Sequence, residues 1–180
     1  MKKHLLLILC ALFISVSLSA QSSSSQHLKF MGIPINGSIT NFQNKLIAKG
    51  FKYDQAISKA VEGSTRFYNG QFAGETAQLL VYYDRDQKFV YRVKAVIQRN
   101  SENQIISMMN MYRNQLIEKY NTSAEEGQFE GNESYYIPVK NGWIDLYYLQ
   151  DVYDIGYSLH IDYWDGANAQ KHKKNNMNDL

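Results

Sequence analysis

Two distant stretches of this chain carry nearly the same helical text, and the segments that follow them repeat in the same order. FQNKLIAKGF at 42–51 aligns with YRNQLIEKYN at 112–121, pairing Phe42 with Tyr112, Asn44 with Asn114, Leu46 with Leu116, Ile47 with Ile117 and Lys49 with Lys119. Helices share an alphabet, so one such match says little. Three further blocks follow in register, however: EGSTRFY (62–68) with EGNESYY (130–136), VYYDRD (81–86) with LYYLQD (146–151), and KFVYRVKAVI (88–97) with DIGYSLHIDY (154–163). Colinear matches of this kind point to a duplicated unit, which constrains the chain to fold as two copies of one arrangement.

Each copy opens on a helical pattern and continues as strands. Thr40-x-x-Gln43 and Ser101-x-x-Gln104 have the form of capping boxes, in which the two side chains satisfy free N–H groups of the first turn. Ile39, Phe42 and Leu46 make the first apolar stripe. Ile105, Met108, Met109, Tyr112, Leu116 and Tyr120 make a longer second one, read as core. Gly50 stands where a left-handed residue would end the first helix.

Beyond the helices the period changes to two. Phe89, Tyr91, Val93, Ala95 and Ile97 alternate with Val90, Arg92, Lys94, Val96 and Gln98. Ile155, Tyr157, Leu159, Ile161 and Tyr163 alternate with Asp154, Gly156, Ser158, His160, Asp162 and Trp164. Such rows describe antiparallel strands with one face on a core and one toward water. DRDQ and LQDVYD read as connecting turns, and YNG (68–70) and KNG (140–142) as tight turns before middle strands. The stretch 52–61, KYDQAISKAV, is open between a short helix and an irregular run. The expected fold is therefore α+β: two tandem α-β-β-β units, one about 31–99 and one about 101–166, forming one antiparallel sheet covered on one face by two helices.

A duplicated helix-plus-sheet module, opening on GIPINGSITNFQNKLIAKGF (32–51), resembles the β-lactamase-inhibitor-protein-like and BamE (SmpA)-like group. The resemblance implies a small bacterial protein that binds other proteins or helps assemble envelope complexes and is not an enzyme. The chain departs from that group in having no convincing lipid anchor and no cysteine beyond position 10, so neither outer-membrane assembly nor β-lactamase inhibition is carried over.

The address is read from residues 1–20. Lys2, Lys3 and His4 precede an apolar run from Leu5 to Leu18, and Leu18-Ser19-Ala20 ends in small residues: the three parts of a cleaved secretory signal peptide. Cys10 is the chain's single cysteine, and a lipoprotein would use it as anchor; bulky Leu9 just before it speaks for cleavage before Gln21 instead. A periplasmic or secreted protein without cysteine has no disulfide, thiolate nucleophile or zinc–thiolate site.

Charge changes with the leader as well. Of 19 Lys and Arg, two lie in the leader, and the remaining 17 balance the 17 Asp and Glu. A balanced chain gives no expectation of nucleic-acid binding, and nothing after the leader reads as an integral membrane segment. QSSSSQH (21–27) is read as a Ser-rich linker, 28–166 as one globular domain, and 167–180, ANAQKHKKNNMNDL, which lacks apolar periodicity and is rich in Asn and Lys, as a disordered tail.

The candidate site is the polar row of the sheet. With the hairpins in register, Trp143, Asp145 and Tyr147 share an open face with Ser158, His160, Asp162 and Trp164, extended by Tyr82, Arg92 and Lys94. Aromatic and arginine side chains there suit a protein partner, another secreted or envelope protein, because they offer contact area with few rotors to freeze. The same rings would suit a glycan, and the plain alternative is a solvated face whose aromatics pack across strands. A hydrolase would have to be centred on His160, with Asp162 and Asp145 as carboxylates. No nucleophile elbow and no H-E-x-x-H is present, and FAGETAQ (72–78) lacks the spacing and Lys-Ser/Thr ending of a phosphate loop. No catalytic residue, metal ligand or cofactor is expected.

Overall fold

The computed structural model describes residues 27–61, 63–150 and 156–178. The expected signal peptide, residues 21–26 of the linker, Glu62, residues 151–154 of the expected LQDVYD connection with Ile155 after it, and the last two residues of the expected tail lie outside them.

The chain begins with a small ribbon, β1 (Lys29–Phe30) and β2 (Ile33–Pro34), then α1 (Ile39–Ala48). The α1 start is set by Ser38, whose hydroxyl accepts from the Asn41 N–H at 3.3 Å, and not by the expected Thr40–Gln43 box. Gln43 is drawn away to the sheet, where it accepts from Arg66 at 2.7 Å and from the Tyr68 hydroxyl at 3.1 Å. The ambiguous stretch resolves into β3 (Lys52–Asp54) and a one-turn-and-a-half α2 (Gln55–Ala60), capped by Asp54 on the Ile57 N–H at 3.0 Å.

Three long strands follow: β4 (Thr65–Phe72), β5 (Glu75–Tyr83) and β6 (Val90–Arg99). The YNG segment lies inside β4, and the turn falls instead at Ala73–Gly74. Gly70 is there for a packing reason: a Cβ on it would lie 2.5 Å from Cδ1 of the buried Phe51 ring.

The second half runs α3 (Glu102–Tyr120), β7 (Glu125–Phe129), β8 (Asn132–Val139), β9 (Gly142–Gln150), β10 (Tyr157–Asp165) and α4 (Gly166–Asn178). Ser101 is the N-cap of α3 without a side-chain capping bond, and Asn121 closes it in the left-handed region, φ 49°. The protein is thus α+β, with four helices, a two-stranded ribbon, and one antiparallel sheet ordered β3-β4-β5-β6-β10-β9-β8-β7. Eight strands stand where six were expected. Lys52–Asp54 and Glu125–Phe129 have no apolar alternation to announce them, and β7 is exposed along its whole length.

One apolar cluster holds these elements. Ile39, Phe42 and Leu46 of α1 and Ile105, Met109, Tyr112 and Leu116 of α3 join the inward row of the sheet, among them Leu79, Val93, Ile97, Ile144, Leu146, Leu159 and Ile161. Phe30 from the ribbon stacks on Phe72 at 5.3 Å and meets Tyr163 edge-on at 5.3 Å. Each aliphatic side chain fully removed from water here contributes on the order of 1.5–3 kcal/mol.

Two expectations are corrected. Val90 is fully buried while Tyr91 turns to the other side, because the β5–β6 register slips between Tyr82 and Tyr83, so that Tyr82 faces Arg92 but Tyr83 faces Val90. The extra residue of this bulge re-aims Tyr91. The segment read as a disordered tail forms α4 as far as Asn178. It is docked by polar bonds rather than apolar burial. Asp165 caps it on the Asn168 N–H at 2.9 Å, the Asn168 amide donates to the carbonyls of Ile35 and Val90 at 3.0 and 2.9 Å, and Asp84 accepts from His172 and Asn175 at 3.0 Å each.

His27, assigned to the linker, is fixed too, its Nδ1 lying 3.0 Å from Asp165. Among the described residues no helix is long and apolar enough to cross a membrane.

Candidate functional site

Residues two apart on a strand point the same way, so the register alone decides which side chains meet on the outward face. Tyr82, Arg92, Trp164 and Trp143 are opposite one another in one cross-strand row. The next row contains Lys94, Asp162, Asp145, Tyr136 and Glu125. The third has Val96, His160, Tyr147, Ser134 and Gly127, and Ser158 opens a fourth beside Gln98 and Leu149. All ten sequence-selected residues therefore share one face in four consecutive rows. They do not lie bare: Asp162 is 1% exposed and Tyr147 6%.

At the centre Arg92 chelates Asp162, its Nε donating to Oδ1 at 2.8 Å and its NH2 group to Oδ2. The guanidinium lies between two rings, 4.0 Å from the Trp164 centroid and 4.3 Å from that of Tyr82. Lys94 approaches the same carboxylate at 3.5 Å and donates to the Tyr147 hydroxyl at 2.7 Å.

These contacts decide the protonation states. Burial pulls the Lys94 pKa down, with Asp162 opposing and Arg92 adding to the fall; burial pulls on Arg92 too, but its bonds to Asp162 hold the guanidinium above its ordinary value. Tyr82 and Tyr147 are both raised, chiefly by burial. One buried anion thus contacts both cations of the floor, and the Asp145 charge acts on them as well.

The cleft lining is acidic on balance, with Asp145, Asp162, Glu125 and Glu126 against Arg92 and Lys94. Asp145, opposite Asp162, accepts from the Trp143 indole N–H at 3.3 Å and has no cation within ion-pair distance among the described residues. Burial, then the Asp162 charge, raises its pKa, with the Trp143 indole, the Arg92 charge and the Trp164 indole opposing. Two strands away Glu125 stands in the same row, across Tyr136. The edge strand β7 forms a wall here, its Phe129 packing on Tyr147 with centroids 4.3 Å apart. Arg92, Asp145, Asp162, Trp164, Phe129 and Tyr136 are among the residues lining a cleft of about 370 Å³. Phe129 and Tyr136 each keep 41% of their surface exposed.

His160 sits beside the cleft rather than in it. Its ring stacks on Tyr147 at 4.8 Å and 3°, and its Nε2 is 2.9 Å from the Ser158 hydroxyl. Nδ1 is buried without a partner, so the sequence-expected carboxylates, Asp145 and Asp162, do not orient the ring. Burial, aided by the charges of Lys94 and Arg92, lowers its pKa to about 3. Among the described residues no three His, Cys, Asp or Glu side chains gather as metal ligands would.

Sequence reasoning missed three contributors. Glu125 and Phe129 lie on a strand with no period-two signal, although their position just before the Glu130–Gly131 turn gave a hairpin cue. Tyr136 was visible in the repeat block EGNESYY but had no assigned face. At the far end of the face Tyr91 stacks on His172 of α4 at 4.1 Å and contacts Trp164 at 6.2 Å, so α4 borders the aromatic floor. Compared with known proteins, the chain matches no family model, no curated protein and no solved structure.

Proposed function

We propose that this is a secreted, non-enzymatic binding protein whose sheet cleft receives a polypeptide segment led by a cationic side chain. The observation that carries this reading is the charge of the cleft lining, where Asp145, Asp162, Glu125 and Glu126 outnumber Arg92 and Lys94 by two, beside Tyr136, Phe129 and Trp164. A guanidinium or ammonium group entering there finds carboxylate acceptors and ring faces together, the combination such groups favour. Arg92 and Tyr147 are held in place beforehand, so little ordering accompanies binding.

A glycan reading is weaker on the same geometry, because Trp143 and Trp164 stack on each other at 5.4 Å and Arg92 covers Trp164, leaving little indole face for a sugar. A hydrolase is weaker still. His160 has no acid behind it, and β10 is paired on both sides, so its backbone N–H groups are engaged in the ladder and offer no oxyanion site.

The tandem origin belongs to the same proposal. Counted inward from either edge, the sheet order runs in the same succession, β3-β4-β5-β6 and β7-β8-β9-β10, each set preceded by its helix. That arrangement supports two copies of one helix-plus-four-strand unit, with α1 and α3 on the packed side and the cleft on the other, in the manner of the β-lactamase-inhibitor-like and BamE-like group. The leader pattern of residues 1–20 supports export.

The test is selection from a random linear peptide library, followed by titration of the enriched peptides. Enrichment of a central Arg or Lys, and a loss of about tenfold or more in affinity with Asp145→Asn plus Glu125→Gln, are expected. Enrichment of neutral peptides, or peptides indifferent to the double variant, would overturn the reading.

A further inference from the structure

A second cleft, of about 400 Å³, lies away from the sheet's outward face, where β1, the end of α3 and the β8–β9 turn meet. Its charge has one sign. Lys29 comes from β1, Lys119 from the last turn of α3 and Lys140 from the turn, and no Asp or Glu lines it. Among the described residues none of the three makes an ion pair; Lys119 rests over the Tyr120 ring at 5.0 Å. Asp165, which holds the lining residue His27, is fully buried, and its oxygens are taken by His27, the Leu28 N–H and the Asn168 N–H.

A lysine at a helix C-terminus is explained by the carbonyl dipoles alone. That accounts for Lys119 but not for Lys29 and Lys140, which come from other elements to the same cleft. In a chain whose charges balance after the two leader lysines are set aside, three lysines from separate elements line one cleft that no carboxylate lines, which makes it a local excess of positive charge. Leu28, Val139 and the Tyr120 ring give the cleft apolar walls, and His27, Gly32 and Asn141 complete the lining. Burial raises the Tyr120 pKa, as an apolar wall would.

We propose that this cleft binds a small anionic amphiphile: a phosphate or carboxylate head held by Lys29, Lys119 and Lys140, with its apolar body against Leu28, Val139 and Tyr120. The site is independent of the peptide cleft, sharing no residue with it. Each ammonium supplies up to three donors on a flexible stem, which suits a tetrahedral or planar anionic head of variable pose.

The probe is hexyl phosphate, titrated calorimetrically against the full chain, with inorganic phosphate and hexanol as half-ligands. Saturable binding of hexyl phosphate at one site is expected. Both half-ligands should bind at least about tenfold more weakly, and raising the salt should weaken the complex. Lys29→Gln plus Lys140→Gln should weaken it by about tenfold, while thermal unfolding stays unchanged because both side chains are exposed. No saturable binding, equal binding by hexanol, or equal binding by the double variant would overturn the proposal. Co-sedimentation with phosphatidylglycerol vesicles, lost in the same variant, would assign the head to a bilayer lipid; hexyl phosphate binding without sedimentation would assign it to a soluble ligand. Either outcome supports the site.

Discussion

Arg92 and Asp162 meet diagonally across the β6–β10 pairing, the guanidinium chelating the carboxylate while flanked by Tyr82 and Trp164. The two residues are 70 positions apart, and the pair sits nearly dry in the middle of the sheet. Removing one member strands the other. Asp162→Ala should destabilise the fold by about 3–5 kcal/mol in chemical denaturation, whereas Arg92→Met combined with Asp162→Leu should recover most of that loss. A single variant as stable as wild type would mean that the pair is well hydrated.

His160 makes stability depend on pH. Its folded pKa, about 3, is below the unfolded value of 6.5, so the unfolded chain binds the proton first as pH falls. The contribution is complete above pH 6.5 and is lost progressively toward pH 3, with a slope of at most about 1.4 kcal/mol per pH unit from this one group. Denaturation midpoints of His160→Gln should vary less with pH across that window. Parallel curves for wild type and variant would show that other groups carry the dependence.

Asp84 should be the anchor of α4. Burial would raise its pKa, but the N–H groups of Gln87 and Asp86 together with Asn175 and His172 bring it down to about 2. Asp84→Ala should therefore raise amide exchange across α4 and in the β5–β6 turn, with a loss of roughly 1–3 kcal/mol. The depressed pKa adds a second acid window, in which this stabilisation persists above the ordinary carboxylate range and fades as pH falls toward 2. Unchanged exchange in α4 would place its docking elsewhere.

Two glycines separate packing from backbone limits. A Cβ at Gly70 would meet the Phe51 ring at 2.5 Å, and one at Gly142 would meet the Trp164 carbonyl oxygen at 1.9 Å. A ring can shift slightly, whereas a strand carbonyl is fixed by its ladder. Gly70→Ala should cost about 1–3 kcal/mol, and Gly142→Ala more, up to loss of the folded state. The reverse order in thermal melts would mean that β9 and β10 separate more readily than the Phe51 ring moves.

The outward face was legible wherever alternation ran unbroken. From Leu159 to Tyr163 every second residue is apolar and buried, so Ser158, His160, Asp162 and Trp164 had one possible side. Tyr91 was misread because its direction depends on a bulge, and a bulge is a property of two strands' register rather than of either sequence. Helix α4 escaped notice because the partners of Asn168, His172 and Asn175 are Ile35, Val90 and Asp84, remote in sequence and polar in character. The acidic side of the cleft was hidden for a related reason. Glu125 and Phe129 acquire a face only by pairing with β8, and EEGQF on its own alternates nothing.

The pairing of β6 with β10 has a consequence for how the molecule is made. Strand β6 finishes at Arg99, yet the partner for its free edge, Tyr157–Trp164, is synthesised roughly sixty residues later. Until then the first half of the sheet presents the open ladder of its innermost strand, rich in Val and Ile, to any neighbouring chain. Closure over so long a span is slow. The nascent chain is therefore most vulnerable to sticking to its own kind just before its last strand emerges, and a product cut short ahead of Tyr157 should gather in aggregates rather than remain as a half-sized monomer.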